Sequence, residues 1–164
     1  MTSGAAMRAW AVRTLAPMVA ASALACSWAR ADPPPVSGAR LWTAADIGSL
    51  TATLANTGGA STQILKGTTY GALVLRRAVS GEPELHVRLN DFFVVLGGEA
   101  HISVGGAATG VSTVAPDEKR GEKLSGGTRY RVRRGDVLFV PANHWLQVLV
   151  AKGHVLRALI IKTR

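Results

Sequence analysis

From residue 63 onward, short apolar or alternating runs are separated by turns that contain glycine, a pattern typical of an all-β protein. Glycine accounts for 18 of the 164 residues, and 48% of the residues are hydrophobic, which excludes a disordered chain. The chain is long enough for one domain with a real core. Many short strands predict a sandwich or a jelly-roll barrel. The predicted strands are residues 64–66, 70–76, 84–87, 92–96, 99–104, 128–132, 137–140, 144–150 and 154–161.

One helix is predicted ahead of the strands. Thr43 has the character of an N-cap, and Asp46 follows three residues later, as in an Asp-containing relative of the capping box. Trp42 and Ile47 are spaced as a hydrophobic staple, and residues 56–59, Asn-Thr-Gly-Gly, should end the helix. We expect this short helix to pack on the barrel and to take no part in chemistry.

Two connections are predicted from turn residues. Residues 105–127 form a long polar insertion with a charged cluster at 117–123, which indicates either a lid or a solvated loop. The last two predicted strands flank Lys152 and Gly153 and should form a hairpin that closes the chain. Solvent-facing positions are predicted for several basic side chains, namely His101, His154 and the alternating Arg129, Arg131 and Arg133.

The first 31 residues have the pattern of a secretory signal peptide. Arg8 and Arg13 form a basic start, residues 15–25 are an apolar run, and residues 29–31 are a small-x-small cleavage site. An apolar run of this length is too short to span a bilayer, which takes about 20 residues. The predicted division is therefore a signal peptide at 1–31, a proline-rich lead-in with the short helix at 32–62, and a barrel at 63–164.

Export has consequences for charge and for cysteine chemistry. Cleavage after residue 31 would remove Arg8, Arg13 and Arg30 but no acid, so the net charge would fall from +9 by three to +6. It would also remove Cys26, so no disulfide could form within the mature chain. The predicted location is periplasmic or secreted. The alternative is a lipoprotein anchored at Cys26, because Ala-Leu-Ala precedes that residue.

Potential metal ligands cluster in two stretches of the predicted barrel. Glu84 and His86 are two residues apart, a spacing that puts both side chains on one face of a strand. Asp91 follows after four residues, and six more lead to Gly98. In the second stretch, a glycine, five residues and a proline precede His144. Carboxylate and imidazole groups are ligands for several divalent metals.

These two stretches resemble the two motifs of the cupin superfamily, whose members share a double-stranded β-helix (jelly-roll) barrel. The first cupin motif reads His-x-His, three or four residues, an acid, six residues and a glycine, with Glu84 here in place of the first histidine. The second reads glycine, five residues, proline, then glycine and histidine. Gly135 and Pro141 match it, but the segment from Pro141 to His144 is two residues shorter. Val148 stands where cupins often have an asparagine after the histidine of the second motif.

The resemblance implies an all-β cupin barrel with one short N-terminal helix. It also implies a divalent metal (Fe, Mn, Zn, Ni or Co) bound by a set that mixes histidines and acids, namely Glu84, His86, Asp91 and His144. Three of these residues have a plainer interpretation as well: His86 as an ordinary hydrogen-bonded histidine, Glu84 as a solvent-facing side chain or a partner of Arg88, and Asp91 as a turn residue.

Two classes of function remain open from the sequence. The first is a metal-dependent cupin enzyme of oxygenase, isomerase or lyase type acting on a small organic molecule. The second is a non-catalytic cupin that binds a small molecule or is structural, with a degenerate metal site. We expect a small-molecule ligand, and a homodimer is one assembly that the resemblance to cupins allows. We expect no stable membrane insertion after signal cleavage, and no nucleic-acid partner, because no basic cluster is interleaved with aromatic residues.

Overall fold

The protein is described by a computed structural model covering residues 38–164. The predicted signal peptide and most of the proline-rich lead-in lie outside the described residues. Helix α1 (Ala44–Thr57) begins after the N-cap Thr43, whose Oγ1 accepts a hydrogen bond from the Asp46 backbone N–H at 3.1 Å. The Asp46 carboxylate accepts from the Thr43 backbone N–H at 2.8 Å, so the predicted capping box is confirmed. The helix ends at Gly58, at a φ of +69°.

Within the described residues, thirteen strands follow the helix. They are β1 (Ser61–Lys66), β2 (Tyr70–Arg77), β3 (Glu84–His86), β4 (Asn90–Gly97), β5 (Glu99–Val104), β6 (Ala107–Thr109), β7 (Ser112–Ala115), β8 (Glu118–Arg120), β9 (Lys123–Ser125), β10 (Thr128–Arg133), β11 (Val137–Val140), β12 (Trp145–Leu149) and β13 (Leu156–Thr163). The predicted all-β class with one short helix is confirmed.

The strands form two antiparallel sheets that pack face to face. One has the order β1-β2-β13-β4-β11 and the other the order β10-β5-β12-β3-β8-β7, while β6 and β9 pair as a separate ribbon. The inward side chains of both sheets form one core, which includes Phe93, Val95, Ile102, Val148, Leu156 and Ile160. Helix α1 lies against β1 and β2. The core therefore comes from the period-2 alternation along each strand.

The predicted hairpin between the last two strands is wrong. Strand β12 pairs with β3 and β5, whereas β13 pairs with β2 and β4 in the other sheet. The turn at Lys152 and Gly153 therefore carries the chain from one sheet to the other. The eight residues of β13 find longer partners in β2 and β4 than the five-residue β12 could offer.

The predicted long loop at 105–127 is also wrong as to its structure, because it contains β6 to β9. Strand β8 pairs antiparallel with β3, which sets Arg120 opposite Glu84 and Glu118 opposite His86. These strands have only three or four residues each and carry mostly polar side chains, so no hydrophobic alternation marks them. The insertion therefore contributes charged side chains to the barrel.

The predicted solvent-facing positions are confirmed. His101 and His154 are both exposed. The three arginines of β10 are exposed as well, and Arg131 donates to the Glu99 carboxylate at 2.7 Å. This outer stripe lies on the six-stranded sheet and does not reach the interior of the barrel.

Candidate functional site

A cavity of about 200 Å³ opens between the two sheets at one end of the barrel. One part of its wall is apolar and the other is densely charged. The apolar wall consists of Leu73, Leu75, Phe93, Leu146, Val148 and Ile160. The polar wall consists of Ser61, Arg77, Glu84, His86, Asp91, Glu118, Arg120 and Lys162. This combination of apolar surface and convergent polar groups is typical of a ligand site.

Strand register brings the charged groups together. Glu84 and His86 are the first and third residues of β3, so their side chains share a face. Asp91 near the start of β4 is the register partner of Lys162 near the end of β13. Because β13 is antiparallel to β4, residues 71 positions apart in sequence become direct neighbours. Arg77, the last residue of β2, completes this end of the barrel.

A lysine lies at the centre of the charged wall. Lys162 Nζ donates one hydrogen bond to His86 Nε2 at 2.9 Å and another to Asp91 Oδ1 at 2.7 Å. The other Asp91 oxygen lies 3.4 Å from His86 Nε2. The Asp91 side chain is only 3% exposed, and a buried carboxylate needs a partner of opposite charge. The ammonium of Lys162 supplies that charge.

The protonation of His86 follows from its surroundings. Burial lowers the pKa of His86 below its usual range, and the nearby positive charge of Lys162 lowers it further. The carboxylates of Asp91, Glu84 and Glu118 oppose this shift without reversing it. An ammonium group has three donors and no acceptor, so the hydrogen bond from Lys162 needs a free lone pair on Nε2. Both arguments favour a neutral imidazole that accepts at Nε2.

Two arginines engage Glu84 on the opposite side of the site. Arg77 Nη2 donates to Glu84 Oε1 at 3.1 Å, and Arg120 Nη1 lies 2.7 Å from Glu84 Oε2. Arg120 Nη2 also donates to Glu118. The alternative pairing of Glu84 with Arg88 is wrong, because Arg88 pairs with Asp117. Glu84 is therefore held in a network of charges and does not point to solvent.

Three of the four predicted site residues converge, and the fourth does not. Glu84, His86 and Asp91 all line the cavity, with Glu84 Oε2 at 3.8 Å from His86 Nε2. His144 is exposed and its Nδ1 lies 3.0 Å from the carbonyl oxygen of Ala142, in its own turn. The shortened turn before His144 is fixed by Asn143, at a φ of +60°, whose N–H donates to the His86 carbonyl at 2.8 Å. The interpretation of Asp91 as a turn residue is wrong, since it lies inside the barrel.

The geometry does not fit a resident metal ion at this position. Adjacent ligands of a tetrahedral ion with bonds of about 2.1 Å are roughly 3.4 Å apart, which the His86–Asp91 separation matches. The Lys162 ammonium, however, lies against the same two side chains, and the arginines engage both oxygens of Glu84. Across residues 38–164, no group of three or more His, Cys, Asp or Glu side chains is arranged to hold a metal. The role of the four residues as metal ligands stays a prediction.

The sequence interpretation missed Lys162, Arg77 and Arg120. The sequence did contain a signal for Lys162. Positions 156, 158, 160 and 162 of β13 point inward, and this series of Leu, Ala, Ile and Lys ends in a charged residue. The same alternation in β2 ends its inward series with Arg77. A charged residue at the end of an inward series indicates a barrel mouth. Arg120 carried no such signal, because its strand was not recognised.

Comparison with known proteins supports the fold. No protein-family model matches the chain, and no curated protein sequence matches it. BH2720 from Bacillus halodurans superposes with a TM-score of 0.53 at 15% identity, over 77% of this chain and 83% of that protein. An uncharacterized conserved protein with a double-stranded β-helix domain from Klebsiella pneumoniae superposes with a TM-score of 0.53 at 11% identity, over 76% and 90%.

The DMSP lyase DddQ from Ruegeria pomeroyi matches with a TM-score of 0.47 at 15% identity over 64% of this chain, and the chain spans 46% of that protein. At such identities the comparisons show the fold alone. The fold is the double-stranded β-helix of the cupin type, as the motifs indicated.

Proposed function

We propose that this cupin-type barrel binds a small organic molecule in its cavity and that Lys162, in place of a metal ion, supplies the central positive charge. The observation that carries the proposal is the pair of hydrogen bonds from Lys162 Nζ to His86 Nε2 and Asp91 Oδ1, at 2.9 and 2.7 Å. These are the groups that the cupin resemblance assigns to a metal. This is the non-catalytic binding alternative that the sequence left open.

Electrostatic repulsion prevents the Lys162 ammonium and a divalent metal ion from occupying the site together. A divalent ion about 3 Å from an ammonium is repelled by on the order of 10 kcal/mol at an effective dielectric constant of 20. Lys162 and a divalent ion therefore exclude each other from the space between His86 and Asp91. The two arginines that contact Glu84 also disfavour metal binding, because they already neutralise that carboxylate.

The dimensions of the cavity limit the ligand. About 200 Å³ is below the roughly 300–1,000 Å³ of pockets that hold drug-sized ligands. The site therefore suits a molecule with few non-hydrogen atoms. The wall offers such a ligand both charged groups and an apolar surface.

Two measurements test the proposal on the full purified protein. Elemental analysis followed by calorimetric titration with Zn²⁺, Mn²⁺ and Ni²⁺ should find no stoichiometric metal at the site. NMR titration with a panel of small organic molecules, on protein treated with a chelator and then dialysed, should shift cavity resonances such as those of Phe93 and Ile160. Lys162→Met should reduce these shifts, whereas the control Lys66→Met, on an exposed side chain of β1, should leave them unchanged.

One result would replace the proposal with the metal-dependent alternative. If the wild-type protein carries stoichiometric metal that is lost in His86→Ala, the metal-ligand prediction is correct and a cupin enzyme is favoured. If no small molecule perturbs the cavity resonances, the binding proposal is wrong.

We also propose that the protein is exported, a proposal supported by the sequence of residues 1–31. N-terminal sequencing of protein recovered from the periplasm should begin at Asp32, whereas a lipidated Cys26 would show anchoring. In the part of the chain that the structure describes, no helix is both long and apolar enough to cross a membrane.

A further inference from the structure

We infer that the ligand of the cavity is a short aliphatic monocarboxylic acid, bound with its carboxylate against Lys162 and Arg77 and its alkyl chain on the apolar wall. This inference rests on the proposed function and adds the chemical class and the orientation of the ligand. It is carried by an inventory of the hydrogen-bonding groups and charges around the cavity.

Hydrogen-bond donors are in surplus at the site. Lys162 has three N–H donors, of which two are engaged by His86 and Asp91. Arg77 has five, of which one Nη donates to Glu84, and its Nε is the buried side-chain polar atom that lacks a partner within the described residues. A buried donor without a partner is unfavourable, so an arrangement of Arg77 in which this N–H meets a ligand oxygen would be favoured.

Most acceptor oxygens at the site are already engaged, and one oxygen of Asp91 and one of Glu118 remain. Both oxygens of Glu84 face arginines, one oxygen of Glu118 accepts from Arg120, and Asp91 accepts from Lys162. His86 Nε2 is already in contact with Lys162 Nζ at 2.9 Å. A ligand rich in acceptors therefore complements the site better than one rich in donors. A carboxylate is such a group, and its hydrogen bonds to charged donors are about twice as strong as neutral ones.

The balance of formal charge argues against a ligand that carries two negative charges. Three cations (Arg77, Arg120 and Lys162) face three anions (Glu84, Asp91 and Glu118), so the formal charges of these six side chains sum to zero. A monoanion leaves one uncompensated charge in the cavity, whereas a dicarboxylate would leave two. A cationic ligand would lie beside the Lys162 ammonium with few acceptors to receive it.

The apolar wall fixes the other end of the ligand. Its side chains come from both sheets and include Leu73, Phe93, Leu146 and Ile160. Each methylene group buried there should tighten binding by roughly four-fold. The cavity has room for about seven groups the size of a water molecule, so the gain should stop near five or six carbons.

The test compares three matched series on the full chain by NMR and calorimetric titration. The first is the straight-chain acids from acetate to octanoate, the second the corresponding primary amides, and the third the primary amines. We expect pentanoate to bind at least ten-fold more tightly than pentanamide, and pentylamine to bind more weakly still. Affinity should rise along the acids from acetate to pentanoate or hexanoate and fall at octanoate.

Two variants assign the preference to its residues. Arg77→Gln, with the exposed Arg129→Gln as control, should reduce the preference for acid over amide by several-fold. The double variant Lys162→Met with Asp91→Asn removes a cation and an anion together, which keeps the buried charges balanced, and should abolish the preference. A preference that survives both variants would overturn the inference.

The outcomes separate this inference from the proposed function. If amides or amines shift the resonances of Phe93 and Ile160 as strongly as the acids do, the cavity binds small molecules but the acid assignment is wrong. If no series shifts them, the proposed function itself is wrong. If pentanoate binds only when Zn²⁺ or Mn²⁺ is added, metal-free binding is refuted while the ligand class stands.

Discussion

Replacing Lys162 with methionine should destabilise the barrel, because it leaves a carboxylate buried without its cation. The Asp91 side chain is 3% exposed and its Oδ1 accepts from Lys162 Nζ at 2.7 Å. Removing one partner of a buried ion pair costs about 3–5 kcal/mol. Lys162 is itself 19% exposed and His86 stays near Asp91, so we expect a loss near 3 kcal/mol in the free energy of unfolding. For a domain of this size the melting temperature should fall by roughly 10 °C.

The assay is urea unfolding at pH 7.5 of the wild type, Lys162→Met, Asp91→Asn and the double variant. Removing both partners of a buried pair is often close to neutral, so the double variant should recover to within about 1 kcal/mol of the wild type. Lys66→Met should lie within about 0.5 kcal/mol of it. The exclusion of metal by the ammonium predicts a further result: Zn²⁺ should raise the melting temperature of Lys162→Met but not that of the wild type.

Two results would refute this reasoning. One is a loss below about 1 kcal/mol for Lys162→Met, since a buried carboxylate stripped of its cation should cost more. The other is additivity of the two single substitutions in the double variant, because residues in direct contact should show a coupling energy.

Three further predictions concern the cap, a turn and the buried histidine. Thr43→Ala should cost about 1 kcal/mol in urea unfolding, because the helix N-cap is lost; no loss would mean that the cap is unimportant. Gly98→Ala should abolish folding as measured by circular dichroism, since its Cβ would lie 1.6 Å from the Val155 carbonyl oxygen, whereas Gly153→Ala, with nothing within 4 Å, should cost only about 1–2 kcal/mol. The lowered pKa of His86 means that this histidine binds a proton more readily in the unfolded chain than in the folded one. Its contribution to stability is therefore full above about pH 6.5 and falls as the pH drops toward the lower folded-state pKa. The difference between the melting temperatures at pH 7.5 and 5.5 should be smaller in His86→Gln than in the wild type, and an unchanged difference would exclude this cause.

Local patterns predicted the elements of the fold but not all of their partners. The cap at Thr43, the glycine at the end of the helix, the alternation in β5 and the short apolar run of β11 are properties of a few consecutive residues. Pairing is a property of distant segments, so the turn at Lys152 and Gly153 suggested a hairpin where the chain changes sheets. Strands β6 to β9 escaped notice because they have three or four residues each and no clear alternation of apolar and polar side chains.

The candidate site was predictable to the extent that it is local. Glu84, His86 and Asp91 lie within eight residues of sequence and occupy one end of the barrel, as their spacing indicated. The position of His144 depends on the short turn at Asn143, whose geometry the motif could not give. The cation that contacts His86 and Asp91 is Lys162, which lies 71 residues after Asp91 in sequence. Only the register of β13 against β4 brings Lys162 to the site.

The central place of β13 in its sheet has a consequence for how the chain folds. It is the last strand of the described chain, yet it lies between β2 and β4. Until it inserts, both of those strands carry an open edge, and open edges are sites of aggregation. Contacts over such sequence separations slow folding, so insertion of β13 should be the late step. Shortened forms that lack this strand should then aggregate instead of folding into a smaller barrel.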